Sequence, residues 1–116
     1  MPRLTRRYAI AILSGAALMP MAAAAQGQSL TGRYRAEGRN PDGSTYSGSV
    51  ELNDAFGKIT MIWKVGSQSY EGLGTRDGRV LTVDWGDTHP VVYVVMPDGS
   101  LHGTWANGTA LERLSR

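Results

Sequence analysis

The chain has 116 residues, no cysteine, and twelve basic against ten acidic residues. The lack of cysteine excludes disulfides, thiol chemistry and Cys-type structural zinc sites. Three of the basic residues, Arg3, Arg6 and Arg7, stand together at the N-terminus, so residues 26–116 carry nine basic and ten acidic groups, a balance that argues against a nucleic-acid partner.

The first element reads as a secretory signal. Arg3, Arg6 and Arg7 form a positive n-region, and Ala9 to Leu18 (AIAILSGAAL) is an uncharged apolar stretch. Pro20 breaks it, and Ala23-Ala24-Ala25 offers the small-x-small pattern of a cleavage site, with the cut expected between Ala25 and Gln26. The apolar run is shorter than the roughly 20 residues of a membrane span. No membrane anchor is therefore expected after cleavage, and without a cysteine no lipid anchor either. Thr5-Arg6-Arg7 resembles a twin-arginine signal, although Ala9 sits where that pattern prefers a bulkier apolar residue, so the general secretory route is the default. The expected organisation is a signal peptide, residues 1–25, and one domain, residues 26–116, that is periplasmic or secreted.

Beyond the signal, period-two alternation recurs between strong turn signals. Leu30 to Glu37 reads as the first strand, and Asn40-Pro41-Asp42-Gly43 as a turn in which Pro41 presets φ and Gly43 accepts positive φ. Tyr46 to Asn53 alternates with Tyr46, Gly48, Val50 and Leu52 on one face; Asp54 to Gly57 turns the chain. Lys58 to Val65 puts Ile59, Met61, Trp63 and Val65 together, and Gly66-Ser67 closes a hairpin into Ser69 to Thr75. Asp77-Gly78 is a further hairpin signal before Val80 to Trp85, which aligns Leu81, Val83 and Trp85. A loop, residues 86–90, leads to Val91 to Met96, whose apolar residues on both faces predict cover on both sides. Pro97-Asp98-Gly99 turns into Leu101 to Ala106, and Asn107-Gly108 into Ala110 to Leu114.

Eight strands joined by such short connections should pair antiparallel with their neighbours. The prediction is an all-β domain: an up-and-down barrel of about eight strands, with a two-sheet β-sandwich as the alternative. An apolar-x-Gly-x-apolar pattern recurs around Gly32, Gly48, Gly72 and Gly103. Glycines on the inner face leave room for an aromatic ring from the next strand or permit a sharp bend.

Chemistry-bearing residues are sparse. His89 lies beside Asp87 in a polar loop, which is two candidate ligands without a third. His102 should point away from the Leu101, Gly103 and Trp105 face. Ser47 and Ser49 lack the glycine frame of a nucleophile elbow, and the aspartates sit in turns, where they serve the backbone. No polar set is predicted to converge, and no enzyme activity, cofactor or metal is expected. Aromatic residues stand out instead. Trp63, Trp85, Tyr93, Trp105, Tyr46 and Tyr70 are the candidate ligand-binding residues, because Trp and Tyr anchor interfaces and line cavities.

The strand motifs Tyr46-Ser47-Gly48-Ser49-Val50, Trp63, Tyr70-Glu71-Gly72-Leu73-Gly74, Val83-Asp84-Trp85, Val91-Val92-Tyr93 and Asp98-Gly99-Ser100-Leu101-His102-Gly103-Thr104-Trp105, closed by Glu112-Arg113-Leu114, resemble a group of short exported bacterial proteins labelled fibronectin-binding proteins. That resemblance implies a non-enzymatic binding protein with a host matrix protein such as fibronectin as partner. The meander layout and Gly103-Thr104-Trp105 also resemble avidins and lipocalins. Those families carry Gly-x-Trp near the first strand, where this chain has Gly32-Arg33-Tyr34. This second resemblance implies a calycin-like carrier of a small apolar ligand. A periplasmic enzyme or metal protein built on Asp87 and His89 is the third expectation.

Overall fold

A computed structural model describes residues 28–116. The signal peptide and its expected cleavage point at Ala25 and Gln26 lie outside these residues. Eight strands follow one another: β1 (Gly32–Arg39), β2 (Thr45–Ala55), β3 (Lys58–Val65), β4 (Gln68–Asp77), β5 (Val80–Asp84), β6 (Val91–Val95), β7 (Leu101–Trp105) and β8 (Ala110–Ser115). Each pairs antiparallel with the next, and β1 pairs with β8 from Arg35↔Ser115 to Arg39↔Leu111, closing the sheet into a barrel. Closure removes both edges, which a single meander would otherwise expose.

The turns dictate this meander. Gly43, Gly57, Gly66, Gly78 and Gly99 all take positive φ where strand reversals need it. Alternation then sends one face of every strand inward. The core is Tyr34, Val50, Leu52, Ile59, Met61, Leu81, Val83, Tyr93, Val95, Leu101 and Leu114, with Trp63 and Val91 above them. β6 departs from expectation. Val91, Tyr93 and Val95 are buried, but Val94 is exposed. A closed single sheet has one core, and no second layer of described residues covers the outer face of β6.

The two ends of the barrel differ. One end gathers the β2–β3, β4–β5 and β6–β7 turns, and it is plugged. Leu30, expected to begin β1, instead folds over this end. Its backbone N–H donates to Asp54 Oδ2 at 3.1 Å, so a side chain replaces the ladder partner and β1 starts two residues later. The Tyr34 hydroxyl donates to the Leu30 carbonyl at 2.6 Å, and Arg116 Nη2 donates to that hydroxyl at 2.9 Å while its guanidinium lies 4.8 Å from the Tyr34 ring centroid.

Arg76 points inward from β4 at the same end and meets Asp54 of β2 at 2.9 Å. It also donates to the carbonyls of Gln28 and Gly78. Both side chains are buried, so this pair ties the plug to two hairpins. Burial alone would raise the Asp54 pKa, but backbone donors at Leu30 and Gly57 and the Arg76 guanidinium outweigh it and hold the carboxyl below its ordinary 3.8.

Asp54→Asn should lower the unfolding free energy by about 3 kcal/mol, because it removes the carboxylate charge that faces the buried Arg76 guanidinium. A depressed folded pKa contributes stability that is present above 3.8 and is lost as pH falls through the folded value. Urea unfolding of both proteins from pH 7 to pH 3 checks this: the gap between them should narrow as acid protonates Asp54.

Candidate functional site

The opposite end carries the β1–β2, β3–β4, β5–β6 and β7–β8 loops, and it is open. A cavity of about 360 Å³ descends from it into the barrel, lined by Asn40, Tyr46, Trp63, Val65, Tyr70, Trp85, Val91, Trp105 and Glu112. Four aromatic rings form a connected wall by edge-to-face contact. Tyr46 meets Trp105 at 6.2 Å between centroids, Trp105 meets Trp85 at 5.9 Å, and Trp85 meets Tyr70 at 5.9 Å. Neighbouring rings are steeply inclined, the geometry that sets a positive ring edge on a negative ring face.

At the base of this wall lies a carboxylate. Glu112 alternates with Ala110 and Leu114 on β8 and so points inward; it is only 6% exposed. Its two strand neighbours are both glycines, Gly38 on β1 and Gly103 on β7. Beyond Gly38 the ladder places Tyr46, and beyond Gly103 it places Tyr93. A Cβ on Gly38 would fall 2.1 Å from Tyr46 Cζ, and one on Gly103 would fall 2.5 Å from Tyr93 Cδ1. Each phenol thus lies across a glycine and reaches the carboxylate from its own side.

The hydrogen bonds have a fixed direction. An indole N–H can only donate. Trp105 Nε1 donates to Tyr46 Oη at 3.0 Å, so the Tyr46 hydroxyl turns its own hydrogen to Glu112 Oε1 at 2.8 Å. Trp63 Nε1 donates to Tyr93 Oη at 3.0 Å and to Glu112 Oε2 at 3.1 Å, while the Tyr93 hydroxyl donates to the same carboxylate oxygen. Oε1 accepts from Tyr46 and Oε2 from Trp63 and Tyr93, so the carboxyl acts only as an acceptor in this network, which is the role of its ionised form. No buried side-chain nitrogen or oxygen among the described residues lacks a partner.

Burial raises the Glu112 pKa above its ordinary 4.5, and the Tyr93, Tyr46 and Trp63 donors pull it part of the way back. Burial and then the adjacent Glu112 charge push the Tyr46 and Tyr93 hydroxyls well above the usual phenol range, so both remain protonated donors.

Of the six aromatic candidates, Tyr46, Tyr70, Trp63, Trp85 and Trp105 line the cavity. Tyr93 does not. It is fully buried beneath, and its hydroxyl serves Glu112. His89 is exposed on the β5–β6 loop, and its backbone carbonyl accepts from Trp85 Nε1 at 3.2 Å, which helps to hold that ring over the cavity. The Asp87 carboxylate accepts from the Thr88 backbone. His102 is exposed on the outer face. No group of three His, Asp or Glu side chains among the described residues is placed to hold a metal ion.

The expectation that polar residues do not converge is corrected by Glu112 and its donors. The alternation Ala110-x-Glu112-x-Leu114 carried the signal, because it sets a carboxylate on the core face of the last strand. No family model, curated protein or solved structure matches the chain.

Two outcomes test this geometry. Gly38→Ala should cost about 1–3 kcal/mol by overpacking the Tyr46 ring, read as a lower urea midpoint. Glu112 works opposite to Asp54: its raised folded pKa means the ionised form is disfavoured by folding. Its contribution therefore makes stability rise as pH falls through the folded value toward 4.5, the ordinary one. Glu112→Gln should remove that part of the pH slope in the same unfolding series.

Proposed function

We propose that the chain is an exported, non-enzymatic barrel that binds one small, largely apolar ligand in its open end. The observation that carries this reading is the cavity of about 360 Å³ walled by Tyr46, Trp105, Trp85 and Tyr70. Its size falls within the range of roughly 300–1,000 Å³ that ligand pockets occupy. An eight-stranded barrel is just wide enough for side chains or one small ligand. Here side chains fill the plugged end and leave space at the other. The cavity is apolar apart from a few polar groups, the mixture that gives affinity from burial and orientation from hydrogen bonds.

The matrix-protein reading implied by the fibronectin-binding resemblance stands second. A protein interface of that kind draws on aromatic residues presented outward. In this chain the three tryptophans turn into the barrel, and of the exposed large apolar residues Phe56, Tyr70, Leu73, Val80, Val94 and Leu111 the pair Val80 and Val94 meets directly across β5 and β6, while the others sit at separate register positions.

A fluorescence titration with Nile red, a neutral apolar dye, tests the proposal. Energy transfer from the cavity tryptophans should give a saturable signal. Trp85→Ala or Trp105→Ala should weaken it about tenfold, the equivalent of about 1.4 kcal/mol. Immobilised fibronectin is the control arm. Retention on fibronectin with no saturable dye binding would reverse the order of the two readings.

A further inference from the structure

The described residues place the charged side chains Asp54, Arg76 and Glu112 inside the barrel, and its two ends treat them differently. Arg76 at the plugged end has Asp54 as its counter-ion at 2.9 Å. Glu112 at the open end has no ion pair: the pairs among the described residues are Arg33–Glu51, Arg35–Glu37 and Arg76–Asp54. Its partners are all neutral donors, and no Lys, Arg or His lines the cavity above it.

A buried carboxylate without a cation costs folding free energy, and neutral donors offset only part of it. A carboxylate has about four acceptor positions, and the network donates three hydrogen bonds to it. Above it stand the rings of Tyr46, Trp105, Trp85 and Tyr70. An aromatic face attracts a positive charge through its quadrupole, most strongly when both are out of water. A box of aromatic rings over a lone carboxylate therefore disfavours an anion, gives a neutral molecule its apolar contacts, and adds for a cation the attraction of the carboxylate and of any ring face that it meets.

We infer that the ligand is a small organic cation, an alkylammonium or quaternary ammonium compound, whose charged head sits in the aromatic box above Glu112. The inference rests on the cavity being a ligand site, as proposed above. The head group would supply the counter-ion that the fold omits. The apolar substituents would lie against the tryptophans.

The test compares two probes of nearly the same shape, benzyltrimethylammonium and neopentylbenzene, which differ by the charge at one atom. Each is titrated against the purified protein, by tryptophan fluorescence and by displacement of Nile red. The cation should bind at least about tenfold tighter than its neutral isostere. Glu112→Gln should bring the two affinities to within about threefold of each other. A pH titration of the unmodified protein gives the same answer without a variant. The groups facing Glu112 inside the barrel are Tyr46 from β2, Trp63 from β3 and Tyr93 from β6, with Trp105 behind Tyr46 and glycines on β1 and β7; across those glycines Glu37 and Arg39 of β1, His102 of β7 and Arg113 of β8 border an outer groove with it. Neither tyrosine ionises in acid. The preference for the cation should therefore fall as acid protonates Glu112, and the affinity for neopentylbenzene should not fall with it.

Equal or tighter binding of neopentylbenzene would overturn the cation inference and leave the cavity reading standing. A cation preference that survives both Glu112→Gln and acid would overturn the role given to Glu112. If neither probe nor Nile red binds, the cavity reading fails and takes the inference with it.

Discussion

The Glu112 carboxylate has left water, and much of the open half of the barrel is arranged around that fact. An unsolvated carboxylate must find donors, and the nearest strands offer only glycine. The two glycines are what allow the donors to arrive. With no side chain at Gly38 or Gly103, the phenols of Tyr46 and Tyr93 lie flat across the neighbouring strand and meet the carboxylate from either side. Each phenol is in turn oriented by an indole, Tyr46 by Trp105 and Tyr93 by Trp63. The result is two indole-to-phenol-to-carboxylate relays with one common end. Because every bond has a fixed donor, the rotamers of five side chains are mutually constrained.

This constraint links the interior to the cavity wall. Trp105 is held by Tyr46, and Trp85 packs against Trp105 and donates to the His89 carbonyl. The wall is thus set from below by the buried network and from above by the β5–β6 loop. The plugged end is built from the opposite choice. There a full ion pair, Arg76 with Asp54, closes the barrel and anchors the segment at Gln28 and Leu30. One end has its charge neutralised within the chain, and the other has its charge only hydrogen-bonded.

Most of the architecture was legible in the sequence because turns and alternation are local signals. Asp77-Gly78 and Gly66-Ser67 specify hairpins whatever surrounds them, and the inward sets Ile59-Met61-Trp63 and Leu81-Val83-Trp85 follow from the pleat alone. Leu30 escaped because its backbone is satisfied by Asp54, twenty-four residues away. Val94 escaped because an apolar run does not say whether one face or both are covered. Glu112 was hidden for a subtler reason. Its position on the inner face was readable, but its donors come from β2, β3 and β6. Only the closed register shows that two glycines stand between it and two tyrosines. The same register separates Tyr93 from the other aromatic candidates, since the sequence does not tell depth within a barrel.

The seam between β1 and β8 has a consequence for how the molecule comes into being. Arg35 pairs with Ser115, and the carboxylate that organises the interior stands on that last strand. A chain released N-terminus first presents Tyr46, Trp63 and Tyr93 long before the residue that collects their hydrogen bonds. Seven strands can form hairpins in sequence, but both flanks of the sheet stay unpaired until residues 110–115 arrive. Loop closure over so long a separation makes the final step slow relative to the local hairpins. Completion therefore depends on residues 110–115: the same strand that removes both edges and closes the seam also brings the indole and phenol donors their acceptor.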